Sequence, residues 1–179
     1  MRYRRSTTPG ATYFFTVVTY RRRAILCEPD AMALLRDAFT TVKQRHPFRI
    51  DAVVILPDHL HCLWTLPLDD ADYSTRWMLI KSHFTRRCPA SLKTIRSPAL
   101  RHKREQTIWQ RRYWEYQIRD DQDFERHCDY IHYNPVKHGH TTRVADWPHS
   151  SFRRFVENGL YPLDWAGHPD WIDATGFGE

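Results

Sequence analysis

Two apolar segments joined by only two residues constrain the fold of this chain more than any other feature. The segments FRIDAVVILP and HLHCLWTLP are rich in β-branched and aromatic residues, and only Pro57 and Asp58 separate the two predicted strands. A junction of this length is typical of a hairpin turn. We therefore expect two antiparallel strands that are neighbours in one sheet.

The remaining elements are predicted from hydrophobic periodicity. The segments TYFFTVVTY (12–20) and RYWEYQIRD (112–120) have the composition or the alternation of strands. Apolar residues recur at helical spacing in three further segments, which are 28–46, 73–88 and 121–134. The last of these helices is expected to end before Pro135, because proline is a common helix stop.

The order of these elements, βαββαβα, predicts the fold class. We expect an α+β, ferredoxin-like fold with a four-stranded antiparallel sheet and helices on one face. A length of 179 residues with 41% hydrophobic residues suits one compact domain. All predicted elements lie within residues 1–140, and residues 141–179 are expected to wrap onto that domain as a C-terminal tail.

Two histidines, His59 and His61, lie two residues apart in the second strand of the hairpin. Side chains at i and i+2 of a strand point to the same face, so both imidazoles face one layer while Leu60 and Cys62 face the other. Two imidazoles in this geometry can bind one metal ion. An isolated pair is more often simply exposed to solvent, so a metal site requires a third ligand.

The segment HCDYIHYNP supplies a candidate for that ligand. Tyr130 and Asn134 are four residues apart, which places them one helical turn apart on one face, and His127 lies three residues before Tyr130 on the same face. Taken alone, a buried tyrosine and an asparagine at a helix end are the commoner interpretations. The combination with the histidine pair favours a site where a phenol and a carboxamide meet two imidazoles.

The charge of the chain indicates a polyanionic partner. Lys and Arg number 27 against 21 Asp and Glu, and the pI is about 9.3, which favours nucleic acid or an anionic membrane surface. The many aromatic residues favour a single strand with stacking bases. The longest aliphatic run, AVVIL, is too short to span a membrane. Four cysteines without a CxxC pair predict reduced thiols and a cytoplasmic location.

Basic residues are concentrated before the first strand and between residues 81 and 112, where Glu105 is the single acid. A run of charge is usually only a solvated surface, but aromatic residues follow this one, so we predict a DNA-binding surface. The predicted DNA-binding residues are Arg2, Arg4, Arg5, Arg86, Arg87, Arg101, Lys103, Arg104, Arg111 and Arg112.

Four segments together resemble a known family. LPDHLHCLW, WQRRYWEYQIRD, HCDYIHYNPVKHG and ADWPHSSF occur in the order and with the spacing of the REP-associated tyrosine transposases, of the single-tyrosine HUH superfamily. The resemblance runs from about residue 10 to about residue 165. It implies metal-dependent cutting and joining of single-stranded DNA, with palindromic hairpins as the substrate and a monomeric protein.

The resemblance also implies roles for individual residues. His59 and His61 correspond to the pair that binds a divalent ion, Mg²⁺ or Mn²⁺, and Asn134 lies where the family places a polar third ligand. Tyr130 falls at the nucleophile, which forms a 5′-phosphotyrosine and releases a 3′-OH. Asp58 and His127 are accessory candidates, with a turn or cap as the simpler role for Asp58.

Two other interpretations stay open at this stage. The first is another HUH nuclease, of the plasmid replication or relaxase type, although the chain lacks the longer histidine clusters and paired tyrosines common in those proteins. The second is a noncatalytic, metal-stabilised nucleic-acid-binding module. Retention of both histidines, Tyr130 and Asn134 favours an intact enzyme.

Overall fold

The computed structural model of the chain describes residues 7–102 and 106–167. Five of the predicted DNA-binding residues lie outside these ranges, and they are Arg2, Arg4, Arg5, Lys103 and Arg104.

A four-stranded antiparallel sheet forms the centre of the molecule, as predicted. The strands are β1 (Thr12–Val18), β2 (Arg49–Ile55), β3 (His59–Thr65) and β4 (Trp114–Gln117). Their order in the sheet is β2-β3-β1-β4, with every neighbouring pair antiparallel. The two apolar segments form the predicted hairpin, β2 and β3, and the most apolar strands, β1 and β3, lie in the middle of the sheet.

Five α-helices accompany the sheet among the described residues. They are α1 (Pro29–Arg45), α2 (Tyr73–Arg87), α3 (Pro98–His102), α4 (Asp121–Lys137) and α5 (Phe152–Glu157). Short 3₁₀ helices lie at Tyr20–Arg22, Ala90–Leu92 and Val144–Asp146. The predicted order βαββαβα is confirmed, with α3 and α5 as short additions in segments without a clear helical period.

Helix α4 continues through Pro135, so the prediction that it ends before this residue is wrong. A Schellman arrangement one turn later ends the helix: the Gly139 N–H donates to the carbonyl of Val136, and the His140 N–H donates to the carbonyl of Pro135. Gly139 has a φ of 70°, the left-handed conformation that this cap requires. The stop signal is therefore the glycine rather than the proline.

Helices cover both faces of the sheet. Helices α1 and α2 pack on the face that carries Leu60, Cys62 and Trp64, whereas α4 packs on the face that carries Phe14 and Leu63. The prediction of helices on one face is right for α1 and α2 and wrong for α4. The reason is that β3 is buried along both faces from His59 to Trp64, so each face needs a cover.

The segment after α4 lies along the open edge of β2. The Ile55 N–H donates to the carbonyl of His149, and the Ser151 N–H donates to the carbonyl of Val53, both at 2.8 Å. Trp147 Nε1 adds a hydrogen bond to the carbonyl of Ile55. These bonds satisfy backbone groups that an exposed edge strand would offer to another chain.

No helix in residues 7–102 and 106–167 is both long enough and apolar enough to cross a membrane.

One buried charge joins α1 to α2. Arg76, on α2, has only 2% of its surface exposed. Its guanidinium donates hydrogen bonds to four oxygens, which are the carbonyls of His46, Pro47 and Asp72 and the carboxylate of Asp70. The hydrogen bond from Arg76 lowers the pKa of the Asp70 carboxyl. Arg76 thus holds the end of α1 against the start of α2.

We predict that Arg76→Met lowers the free energy of unfolding by about 3 kcal/mol, because it leaves several buried carbonyl groups without a donor. Urea denaturation measures this change. The matched control is Arg86→Met, an exposed arginine on the same helix, which should change stability by less than about 0.5 kcal/mol. Equal effects of the two substitutions would show that the Arg76 contacts do not stabilise the fold.

Candidate active site

The two histidines lie side by side on the face of β3 that α4 covers. The centroids of the His59 and His61 rings are 4.9 Å apart, and both side chains are almost fully buried. Leu60 and Cys62 belong to the opposite core, against α1 and α2. The alternation of the strand therefore separates the imidazoles from the main apolar core, as the sequence predicts.

Each imidazole is oriented through its Nδ1 atom. His59 Nδ1 is 2.6 Å from Asp58 Oδ1, and since a carboxylate accepts, the ring donates. His61 Nδ1 is 2.9 Å from the hydroxyl oxygen of Thr16 on β1. Engagement of both Nδ1 atoms fixes the rings and makes Nε2 the nitrogen that each ring offers to a metal ion.

Asp58 is held as a carboxylate by two partners. Its second oxygen, Oδ2, accepts from Arg22 at 3.1 Å. Partial burial raises the pKa of the Asp58 carboxyl, but the hydrogen bonds from His59 and Arg22 outweigh this effect and lower the pKa to about 2. The structure thus gives Asp58 the geometry of a group that orients a histidine.

Helix α4 brings Tyr130 to the histidine pair. The ring centroid of Tyr130 is 5.2 Å from that of His61 and 6.0 Å from that of Phe14, and 7% of the residue is exposed. Asn134 lies one turn further along the helix and is fully buried. The neighbouring tyrosine, Tyr133, packs instead in the cluster formed by Val144, Phe152 and the residues around them.

Lys137 is a site residue that the sequence did not reveal. Its Nζ atom lies 3.3 Å from the Tyr130 hydroxyl oxygen and 4.9 Å from the centroid of the Tyr130 ring. It is seven residues, or two helical turns, beyond Tyr130, so it shares the same helix face. This spacing is a signal that the sequence contains, but it applies only if the helix continues through Pro135.

His127 lies one turn before Tyr130 and is packed among aromatic rings. Its Nδ1–H donates to the carbonyl of Asp123 at 2.7 Å. Its ring stacks on Tyr116, with centroids 5.0 Å apart, and contacts Phe14 at 4.9 Å. Burial lowers the pKa of the His127 imidazole, which favours its neutral form at neutral pH. These contacts fix the position of α4 against the sheet beside Tyr130.

The donor set fits a divalent ion that accepts both nitrogen and oxygen. His59 and His61 offer imidazole nitrogens and Asn134 offers an amide oxygen, a mixture that suits Mn²⁺ better than Mg²⁺, which prefers oxygen. Within the described residues, no group of three or more His, Cys, Asp or Glu side chains is arranged to hold a metal. A metal site made of these residues therefore needs the amide oxygen of Asn134 as its third ligand.

Four of the described residues that are predicted to bind DNA lie near the end of the sheet where β1 finishes and β3 begins. Arg111 and Arg112 are exposed and follow Gln110, whose N–H donates to the carbonyl of Val18. Arg86 and Arg87 are exposed at the end of α2, which reaches the same region through the contact of Phe84 with Trp109. Arg101 is exposed on α3.

One arginine near this surface has a structural role. Arg23 donates hydrogen bonds to the carbonyl of Leu92 at 2.7 Å and to that of Thr107 at 3.4 Å. It therefore anchors the two ends of the basic segment between α2 and β4.

The chain is similar to known proteins over nearly its whole length. It matches the family described as "Transposase IS200 like" over residues 7–134. It is 47% identical over 175 residues to the REP-associated tyrosine transposase of Escherichia coli (strain K12). This alignment covers 98% of this chain and 93% of that protein. A protein of Haemophilus influenzae is 45% identical over 168 residues, 94% of each chain. These similarities confirm the resemblance of the four sequence segments.

A solved structure supports the same relationship at the level of the fold. The structure of a REP-associated tyrosine transposase bound to a REP hairpin has a TM-score of 0.84 and 44% sequence identity, and the match covers 100% of this chain and 97% of that one.

We predict that Asp58→Asn weakens Mn²⁺ binding by about 10- to 100-fold, because the carboxylate fixes the ring of His59 and increases its basicity. The loss of the free Mn²⁺ signal in electron paramagnetic resonance measures binding without any need for activity. The matched control is Asp37→Asn: Asp37 makes the same 2.6 Å contact to His83 on the other side of the sheet and should leave binding unchanged. Wild-type affinity in Asp58→Asn would contradict the assignment.

Proposed function

The chain belongs to the family of IS200-like transposases, enzymes that cut and join DNA, and we propose that it acts on single-stranded DNA through Tyr130 as the nucleophile. One observation carries this proposal: the phenolic oxygen of a buried tyrosine is held by Lys137 next to a pair of oriented histidines. A packing tyrosine would not need a cation at its hydroxyl group.

The chain's own residues perform the bond exchange. The oxygen of Tyr130 attacks a backbone phosphorus and forms a phosphotyrosine on the 5′ side, while the bond from phosphorus to the 3′ oxygen breaks. Tyr130 loses its proton and the departing 3′ oxygen gains one, so the products are a 5′-phosphotyrosine and a 3′-OH. A 3′-OH that later attacks the phosphotyrosine reverses the step and joins strands without ATP.

Metal dependence follows from the family, and we propose that His59, His61 and Asn134 hold the ion, which is Mg²⁺ or Mn²⁺. When bound, a divalent ion polarises the nonbridging phosphate oxygens and stabilises charge on the leaving oxygen. Asp58 and Thr16 keep the two imidazoles in a fixed orientation. Phe14, stacked on His61 with centroids 5.5 Å apart, keeps this side of the site apolar.

Lys137 has the position to stabilise negative charge on the tyrosine oxygen. That charge develops when Tyr130 attacks and again when it leaves during rejoining. A hydrogen bond and a positive charge at the same atom lower the energy of both steps. The site therefore contains separate groups for the tyrosine oxygen and for the phosphate.

We propose that the substrate is a palindromic hairpin with single-stranded flanks, because a relative with 44% identity is described as bound to a REP hairpin. Exposed Arg86, Arg87, Arg101, Arg111 and Arg112 would contact its phosphates, and the remaining predicted contacts lie outside the described residues. The histidines and Tyr130 meet within one chain, which supports a monomeric enzyme. Four free cysteines support a location in the reducing cytoplasm.

We predict that Tyr130→Phe abolishes covalent attachment to DNA while the protein remains folded, because only a hydroxyl is removed. The assay uses a hairpin oligonucleotide labelled at its 3′ end, Mn²⁺ and a denaturing gel. The matched control, Tyr133→Phe, should give the wild-type amount of adduct, since Tyr133 packs away from the histidines. Adduct formation by Tyr130→Phe, or none by the wild type with any hairpin and metal, would contradict the proposed function.

We also predict that Lys137→Met slows cleavage by about 10-fold. This factor is near the lower end of the range for loss of a hydrogen bond to a charged group, because Lys137 is exposed. A second substrate, with sulfur in place of the bridging 3′ oxygen, tests whether Lys137 acts on Tyr130 or on the leaving group. The sulfur leaves readily, so this substrate needs no assistance at the leaving group. The slowing should persist with this substrate if Lys137 acts on Tyr130.

Lys43→Met is the control for Lys137→Met, because Lys43 is an exposed lysine of α1, which packs on the other face of the sheet. It should leave the cleavage rate within about twofold of wild type on either substrate, since loss of one exposed surface charge changes stability by less than about 0.5 kcal/mol. If the slowing caused by Lys137→Met disappears with the sulfur substrate, Lys137 acts on the leaving group and not on Tyr130.

A further inference from the structure

An exposed tryptophan lies in the same sheet row as the histidine site. Trp114, the first residue of β4, pairs with Thr16 of β1, and Thr16 pairs with His61 of β3. Directly opposite residues of antiparallel strands point to the same face. The side chains of His61, Thr16 and Trp114 therefore form one row across the face that carries the candidate active site.

The alternation of β4 supports this orientation. Its next residue, Glu115, is buried and pairs with Phe15, which packs against α2 on the opposite face. Two residues after Trp114, Tyr116 stacks on His127 of α4. Trp114 thus shares the face of Tyr116 and α4.

Trp114 differs from the other aromatic residues of its segment because it is open to solvent. It is 40% exposed, whereas Trp109 is buried and Tyr113 packs on Phe15 and Trp77. Within residues 7–102 and 106–167, no aromatic ring stacks on its indole. A large aromatic surface left open beside a reactive site is unusual for a side chain whose only role is packing.

The surroundings of this indole match a nucleic acid strand. Strands lie about 4.8 Å apart, so Trp114 is roughly 10 Å from His61 across the sheet. Exposed Arg111 and Arg112 lie three and two residues before it and offer positive charge for phosphates. A flat apolar ring next to cations is the combination that binds an unpaired base together with its backbone.

We propose that Trp114 is a stacking platform for one unpaired nucleobase of the strand that runs through the active site. This inference rests on the proposed function, because it assigns a contact to the same single-stranded substrate. The stacked base would be next to, or one nucleotide removed from, the phosphate that Tyr130 attacks. Stacking fixes the strand at a second point and so aligns that phosphate with the tyrosine oxygen.

The platform is tested by combining protein variants with abasic DNA. The probe is a hairpin oligonucleotide with single-stranded flanks, in a set that lacks one flanking base at a time, and affinity is measured without metal so that no cleavage occurs. For wild-type protein, removal of one particular base should weaken binding by roughly 5- to 150-fold, the range for one stacked base. Removal of bases elsewhere in the flanks should have smaller effects.

The variant Trp114→Ala should bind the intact oligonucleotide more weakly by a similar factor and should be insensitive to loss of that same base. Trp114→Phe, which keeps an aromatic face, should retain most of the affinity and of the base dependence. Met78→Ala, at an exposed apolar residue of α2 on the other side of the sheet, is the control and should behave as wild type. Circular dichroism establishes that each variant is folded.

Two results would overturn the platform. The first is wild-type affinity in Trp114→Ala. The second is a loss of affinity in Trp114→Ala that adds to the loss caused by each abasic position, whichever base is removed. The covalent adduct assay on the same oligonucleotides separates this failure from failure of the proposed function. Normal adduct formation together with additive effects would reject only the platform. A wild-type protein that neither binds nor attaches to any of the oligonucleotides would reject both.

Discussion

Burial of strand β3 on both faces is the constraint on which the rest of the structure depends. One face carries Leu60, Cys62 and Trp64, and α1 and α2 cover it with a mainly apolar layer in which Trp64 stacks on Trp77 at 4.2 Å. The other face carries two imidazoles, which cannot be buried at low cost without polar partners. Asp58 and Thr16 meet this requirement, so the same alternation that builds the core also assembles the site.

The placement of α4 connects this constraint to the chemistry. Because α4 covers the imidazole face, its Tyr130 contacts His61, and because the helix continues to the cap at Gly139, Lys137 reaches the tyrosine oxygen. The segment that follows is hydrogen-bonded to β2, so the helix is anchored to its own sheet at its C-terminal side. Placement on a strand and a helix would hold the proposed nucleophile at a fixed distance from a bound phosphate.

Much of the fold could be predicted from the sequence, because hydrophobic periodicity and short turns are local signals. The β2–β3 hairpin, the element order and the shared face of His59 and His61 all follow from spacing alone. The side of the sheet on which α4 packs depends on which strand faces lack a cover, and that is a tertiary property. The burial of Arg76 and the contact of Thr16 with His61 likewise depend on segments far apart in sequence. Lys137 lies beyond Pro135, the helix stop that the sequence predicts, so its place in the site does not follow from the sequence.

The central claim is that Tyr130, which lies beside the histidine pair, forms the bond to DNA. Mass-spectrometric sequencing of the DNA-linked peptide, after proteolysis of the covalent complex formed with a hairpin oligonucleotide and Mn²⁺, tests this claim most directly. The account predicts that the nucleotide remnant lies on Tyr130. A remnant on another tyrosine would contradict it. The candidates are Tyr133, which packs against the cluster of Val144 and Phe152, and Tyr116, whose hydroxyl donates a hydrogen bond to Asp123.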